Sequence, residues 1–401
     1  VGRRWADILP AAGTRWTGQR VVLLLLIAGL AGAVGLGFVG YSPNRILSPK
    51  SLPLWQAAAP PLLGLLAVGL ALFLVGAGAR ERRVAGLAVL VGSAIIFLAA
   101  FAAAGEAASR LVAESASPGA RVSLGGAFWV IALTSALSMA EALNRLGIGL
   151  AVRALFALAI VLVLAAMAYA GWFDDFSIVR EWANRRDEYA AAFGQHMNLV
   201  LAALAVSLAI GVPVGALATL RRRFAGRIFA VLSLIQTIPS IALFGLLIGP
   251  LTALADAIPG LRALGVRGIG FTPALIALVL YSLLPIARNT EIGLLGVPRS
   301  VVDAARGMGM TRFQIMTRIS VPLALPVLLA GLRIVTVQLI GLTVVAALIG
   351  AGGFGSFVFL GLGQTATDLV LLGALSAILL ALVADALLRL LTLATTPAPA
   401  S

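Results

Sequence analysis

The chain has 401 residues, of which 61% are hydrophobic and only 11% charged, with a formal net charge of +14 and no cysteine. A soluble domain carries about 25% charged residues, so this chain lacks the polar cover to stay in water and has to be solvated by a bilayer. The same figures exclude disulfide frameworks and thiolate metal sites, and they make the positive charge a matter of membrane topology instead of nucleic-acid binding.

Apolar runs near the ~20 residues needed to cross about 30 Å of hydrocarbon predict spans at 21–40, 58–79, 84–104, 123–143 and 150–171. A polar linker, WFDDFSIVREWANRRDEY at 172–189, follows, and further spans are predicted at 190–220, 226–250, 271–288, 323–349 and 367–388. The predicted fold class is an all-α integral membrane protein of about ten helices. Its 44 glycines and many alanines favour closely packed helices, and no alternating ten-residue pattern of a membrane barrel occurs. The first run follows Arg15 and Arg20 but is long for a signal-peptide core. YSPNR stands after it where a small-residue cleavage site belongs, so a retained helix is predicted. The linker predicts domains at 1–189 and 190–392, with a tail at 393–401. All 6 tryptophans fall before residue 190, which points to two modules of different origin. The halves show no internal repeat, so an inverted-repeat secondary transporter is not indicated.

Orientation follows from the basic residues. With the N-terminus inside, roughly two thirds of them fall on cytoplasmic segments, the bias the positive-inside rule requires. The inside set includes Arg3, Arg4, Arg80, Arg221, Arg222 and Arg223, and the outside set includes Arg45, Lys50, Arg262 and Arg267. Both termini are therefore expected in the cytoplasm, and so is the connection that carries DAARGMGMTRFQIMTRISVP at 303–322.

That connection is charged and glycine-containing in an otherwise apolar chain. Asp303 near its start and Arg312 and Arg318 toward its end suit a short helix dipole, and Ser300 with Asp303 has the spacing of a capping box. Gly307 and Gly309 predict a turn, and Pro322 and Pro326 restrict entry into the next span. The expected product is a helix–turn–helix able to insert into a cleft on a partner. Its spacing resembles the cytoplasmic signature of ABC importer permeases: Glu-Ala-Ala, three residues, Gly, nine residues, then Ile-x-Leu-Pro. Asp303, Ala304 and Ala305, then Gly309, then Ile319 and Pro322 fall on that spacing, with Asp for Glu and Val for Leu. The resemblance implies a coupling helix at about 299–318 that docks on an ATP-hydrolysing subunit, with Arg312 in the same contact.

The resemblance extends over about 190–392, the type I importer core of the glycine betaine/choline/proline group. IQTIPSIALFGLLIGP at 235–250 resembles that group's second span. ALIGAGGFGSFVFLGL at 347–362 resembles its outer gate, which assigns Gly350, Gly352, Gly353, Phe354 and Gly355 to gating. The first five spans resemble the N-terminal extension of a low-affinity osmoprotectant permease. By that resemblance the chain imports glycine betaine or choline by alternating access in the bacterial cytoplasmic membrane. Its implied partners are ATP-binding cassette subunits, a second permease copy or a paralogue, and an extracytoplasmic substrate-binding protein. The alternatives are another small cargo, such as an amino acid or sulfonate, and an ion-coupled transporter using Asp385 or Glu141 as a relay.

Several features bear on chemistry. The only lysine is Lys50, so no G-x-x-x-x-G-K-[ST] phosphate loop exists in the chain. No cofactor is expected here, and ATP and Mg are expected on the partner ATPase. GAGGFG at 350–355 satisfies a dinucleotide fingerprint but follows a membrane-length run and not a strand. The only histidine, His196, is expected at the outer edge of a span and offers no metal site or catalytic constellation. Polar residues within spans are costly and so are candidates for a translocation path: Gln236, Thr237, Pro239, Ser240, Tyr281, Asn289, Gln338 and Thr343. Hydrogen bonding between helices is the competing role for each. Gln236 and Ser240, four apart, are expected on one face. Arg333 is expected at the cytoplasmic interface, with Glu291 as the alternative partner. After residue 189 there is no Trp and Tyr281 is the only Tyr, so a tryptophan-rich cage for trimethylammonium is not available in this core. Selective capture is therefore assigned to a binding protein delivering near 251–270 and 350–367.

Overall fold

The computed structural model describes residues 12–44, 47–79, 81–115, 117, 119–263 and 265–395. Trp5, Arg3, Arg4, Arg45, Arg80 and the tail beyond residue 395 lie outside the described residues. Two compact units result, Val1–Ala183 and Asn184–Ser401. Among the described residues nine helices are long and apolar enough to cross a membrane, and a shorter apolar run covers Arg20–Gly35.

The first unit contains α1 (Ala12–Gly35), β1 (Val39–Ser42), β2 (Lys50–Leu52), α2 (Leu54–Ala57), α3 (Pro60–Gly78), α4 (Arg82–Ala113), β3 (Arg121–Leu124), α5 (Gly126–Arg145), α6 (Leu150–Tyr169) and α7 (Ser177–Asn184). The span predicted at 21–40 ends five residues early. After Gly35 the chain turns extended, and Val39 pairs with Leu52 on one side and Leu124 on the other. The resulting antiparallel sheet has the order β2-β1-β3, a feature the apolar runs do not announce. Three short strands satisfy the backbone polar groups of the connections they join. Arg121 at the start of β3 forms an ion pair with Glu181 of α7 at 2.8 Å.

Helices α3 and α4 approach through glycine. A Cβ at Gly69 would stand 3.0 Å from Gly92 O, and one at Gly92 would stand 2.7 Å from Phe73 N. Between apolar helices in lipid there is no water to expel, so close backbone approach and dispersion supply the attraction. The C-terminal half of α4 continues this with fully buried Ala100, Ala103, Ala104, Ala107 and Ala108. In contrast α6 buries no residue, the behaviour of a span apolar on all sides and solvated by acyl chains.

The second unit is built from α8 (Arg186–Leu220), α9 (Arg222–Thr237), α10 (Ser240–Ala257), α11 (Pro259–Ala263) and α12 (Phe271–Leu295). After these come α13 (Arg299–Gly307), α14 (Arg312–Ile315), a π turn at Met316–Ser320, α15 (Val321–Ala346), α16 (Gly355–Gly363) and α17 (Thr367–Thr395). Its core gathers buried Leu199, Phe244, Leu278, Leu339 and Ile340. Helix α8 meets α12 at Gly215, where a Cβ would lie 2.6 Å from that of Thr290 and 3.0 Å from Ala287 Cα. The π turn has a local cause: Pro322 and Pro326 cannot donate helical hydrogen bonds, and Val321 N–H reaches back five residues to Met316 O.

The single span predicted at 226–250 is two helices. Ile238 is extended (φ −72, ψ 126) and Pro239, at φ −56 and ψ 139, precedes α10. The residue before a proline is driven out of the helical region, so the chain breaks where hydropathy alone reads continuity.

Candidate functional site

The 299–320 connection is a helix, a tight turn and a second helical segment. Its first helix begins after Pro298, with no side-chain cap, so the box expected from Ser300 and Asp303 does not form. The real capping box lies at the second helix, where Thr311 Oγ1 accepts from Gln314 N–H and Gln314 Oε1 accepts from Thr311 N–H at 2.8 Å. Between them Gly309 takes φ +79, the left-handed conformation that glycine adopts without strain. Asp303 is not at the helix start but in its body, paired with Arg306 at 3.1 Å and largely exposed. Ala305 is buried, whereas Ala304, Gly309, Arg312 and Pro322 are exposed and Ile319 is half-buried. Met308 and Phe313, 73% and 77% exposed, stand on either side of the turn. Large apolar side chains left uncovered beside charges mark an interaction surface, and sequence reasoning had not singled them out.

Five of the path candidates lie at the break between α9 and α10. Gln236 Nε2 donates to Tyr281 O at 2.8 Å, and the Tyr281 hydroxyl donates to Ile238 O. One helix thus supplies both a donor and an acceptor to the groups that Pro239 leaves open. Thr237 turns back on its own helix and donates to Leu234 O at 2.7 Å. Ser240 starts α10, so the expectation that Gln236 and Ser240 share a helix face fails because the helix is interrupted between them.

The other candidates lie apart. Asn289 Nδ2 donates to Pro285 O at 2.8 Å, and the side chain fills the space over Gly331, where a Cβ would stand 2.5 Å from Asn289 Cγ. Thr343 is fully buried and donates to Leu339 O at 2.8 Å, a local bond that uses no path. Gln338, on α15, is half-buried. Arg333 pairs with Asp385 of α17, not with Glu291. Glu291 is held by Arg288 at 2.9 Å, and Glu141 by Arg145 at 3.0 Å. Asp385 and Glu141, the two relay candidates, are therefore each in an ion pair with an arginine.

The gate segment is a second irregular stretch. Gly350, Gly352 and Gly353 all have φ between +76 and +79, and Ile349 O accepts from Gly270 N–H at 2.7 Å. Gln195 Oε1 of α8 accepts from Gly353 N–H at 3.0 Å. Fully buried His196 sets its ring 4.9 Å from that of Phe354, and neither ring nitrogen makes a hydrogen bond of ordinary geometry. Tyr189 adds its ring to Phe354 and Phe357 and hydrogen-bonds Ser376 at 2.8 Å. Tyr189 lies in the first turn of α8, the helix that also carries Gln195 and His196. Gly355 packs its Cα against Val344 O, with Ala347 Cβ 2.7 Å from where a Cβ would stand. Gly355→Ala is expected to lower the stability of the purified protein by about 1–3 kcal/mol through overpacking against backbone, measured by thermal unfolding in detergent.

Comparison with known proteins fits this architecture. Residues 211–396 match the family described as binding-protein-dependent transport system inner membrane component. Residues 18–179 match the ABC transporter permease YehY, N-terminal domain. The chain is 39% identical over 203 residues to the carnitine transport permease protein OpuCB of Listeria monocytogenes, covering 51% of this chain and 86% of that one. It is 41% identical over 203 residues to the osmoprotectant import permease protein OsmW of Salmonella typhimurium, covering 51% and 89%. The choline transport system permease protein OpuBB of Bacillus subtilis is 36% identical over 204 residues, covering 51% and 87%. With 86–89% of each of these relatives covered at 36–41% identity, the chain belongs to the family of inner-membrane permeases of binding-protein-dependent ABC importers.

Proposed function

We propose that this chain is the membrane-spanning subunit of an ATP-driven importer that carries an osmoprotectant such as glycine betaine or choline into the cytoplasm by alternating access. The observation that carries this reading is the 34–41% identity to permeases named for carnitine, choline and osmoprotectant transport. Energy comes from separate ATP-binding cassette subunits, since Lys50 is the only lysine and stands in no phosphate loop. Those subunits hold ATP and Mg and dock on the connection from Asp303 to Pro322, with Met308 and Phe313 as its apolar contacts. A second permease, a copy or a paralogue, completes the pore, and an extracytoplasmic binding protein delivers the solute to the glycine gate. Both termini face the cytoplasm. The test is radiolabelled glycine betaine and choline uptake into proteoliposomes that hold the co-expressed complex. Uptake is expected to require lumenal ATP and the binding protein. Uptake driven by an ion gradient without ATP overturns the reading.

A further inference from the structure

Below the break between α9 and α10 the same two helices meet a second time. Phe229 precedes Gln236 by seven residues on α9, and Arg288 follows Tyr281 by seven on α12. Two turns of helix return each side chain to nearly the same face, ~10 Å farther along. The Arg288 guanidinium lies over the Phe229 ring, 3.8 Å from its centroid. The same guanidinium pairs with Glu291 Oε2 at 2.9 Å. Glu291 is 6% exposed and Phe229 4%, whereas the Arg288 side chain is 50% exposed. The aromatic face and the carboxylate are thus buried parts of the wall, and the cation that touches both is the exposed part.

A cavity of about 280 Å³ opens beside this group, bordered by Ser233 and by Ala225, Gly226 and Ala230 of α9. That volume is close to the lower end of small-ligand pockets, ~300 Å³. A quaternary ammonium has no N–H to donate, so what holds it is an aromatic face, a nearby carboxylate and apolar walls. Phe229, Glu291 and the small residues of α9 supply all three. Resting on the reading above that the cargo is an osmoprotectant, we infer that Phe229 and Glu291 form a binding site for a quaternary ammonium cation two helical turns from the α9/α10 break, and that Arg288 is the built-in cation that fills it when no substrate is present. A solute that also bears a carboxylate offers the displaced guanidinium a new partner. A solute that is only a cation competes with Arg288 and gains nothing in return.

That difference gives the test its sign. The full chain, purified in nanodiscs without binding protein, is titrated with radiolabelled choline and glycine betaine, with tetramethylammonium as competitor. Phe229→Leu and Glu291→Gln are each expected to weaken choline binding about tenfold, the scale of a desolvated cation–π contact. Arg288→Gln is expected to tighten choline several-fold and to weaken glycine betaine. A merely structural triad moves all three variants and both ligands in one direction. The inference is overturned if the wild-type chain binds no choline, if Phe229→Leu leaves choline affinity unchanged, or if Arg288→Gln weakens choline. ATP-driven uptake by the assembled importer separates the two levels. Uptake with unchanged choline affinity in the variants sinks this site alone, and absence of uptake of any osmoprotectant sinks the cargo reading.

Discussion

Arg333→Leu is expected to destabilise the second unit by about 3 kcal/mol, the cost of leaving one member of an ion pair within an apolar span without its partner. Arg333 sits in the middle of α15 and pairs with Asp385 of α17, each with about a third of its side chain exposed, 39% and 33%. Exposure at that depth is to acyl chains or to a neighbouring protein surface, neither of which solvates a lone carboxylate. The double variant Arg333→Leu/Asp385→Leu is expected to recover most of the loss, since two apolar groups of similar size replace a pair that had to be desolvated. Thermal unfolding of purified variants in detergent reads both. A single variant as stable as the wild type shows that the pair is not what satisfies these charges.

The second large effect is expected at Gly309. Its φ of +79 suits glycine, and a left-handed L residue costs roughly 1–2 kcal/mol, more when β-branched. Nothing lies within 4 Å of an added Cβ, so Gly309→Val strains the turn without crowding the fold. A strain of that size lowers the population of the docking-competent turn about tenfold, and ATP-driven uptake should fall with it. Insertion in the membrane and thermal stability should stay near wild type, because the turn is exposed on the unit's surface. Uptake unchanged in Gly309→Val would show that the partner does not read this turn.

Much of this protein was legible from apolar run lengths, because a bilayer imposes one stringent rule on the backbone. Every polar group must be bonded within the segment, so a run of about 20 apolar residues has one solution. The spacing from Asp303 to Pro322 was legible too, since glycine and proline constrain the backbone wherever they stand. Side-chain partnerships were not. From the sequence Arg333 is expected at the cytoplasmic interface, with Glu291 as the alternative partner, and the fold gives Glu291 to Arg288 and brings Asp385 across 52 residues to Arg333 instead. The box that Ser300 and Asp303 promised is absent from the first helix of the connection, and one forms instead at Thr311 and Gln314, where the second begins. Gln195 and His196 carry no sequence mark of their contacts with Gly353 and Phe354, which depend on α8 passing beside residues more than 150 positions away.

The amino-acid sequence alone determined that the chain lives in a membrane, that it spans it about ten times and that it carries no phosphate loop of its own. Those are properties of solvent and of missing side chains, and they need no coordinates. Only the tertiary structure decided that Pro239 splits a span, that Gln236 and Tyr281 bridge the split, and that Arg288 rests between Phe229 and Glu291. Each of these depends on which faces of two helices meet, and hydropathy, being a property of single residues, carries no information about that register.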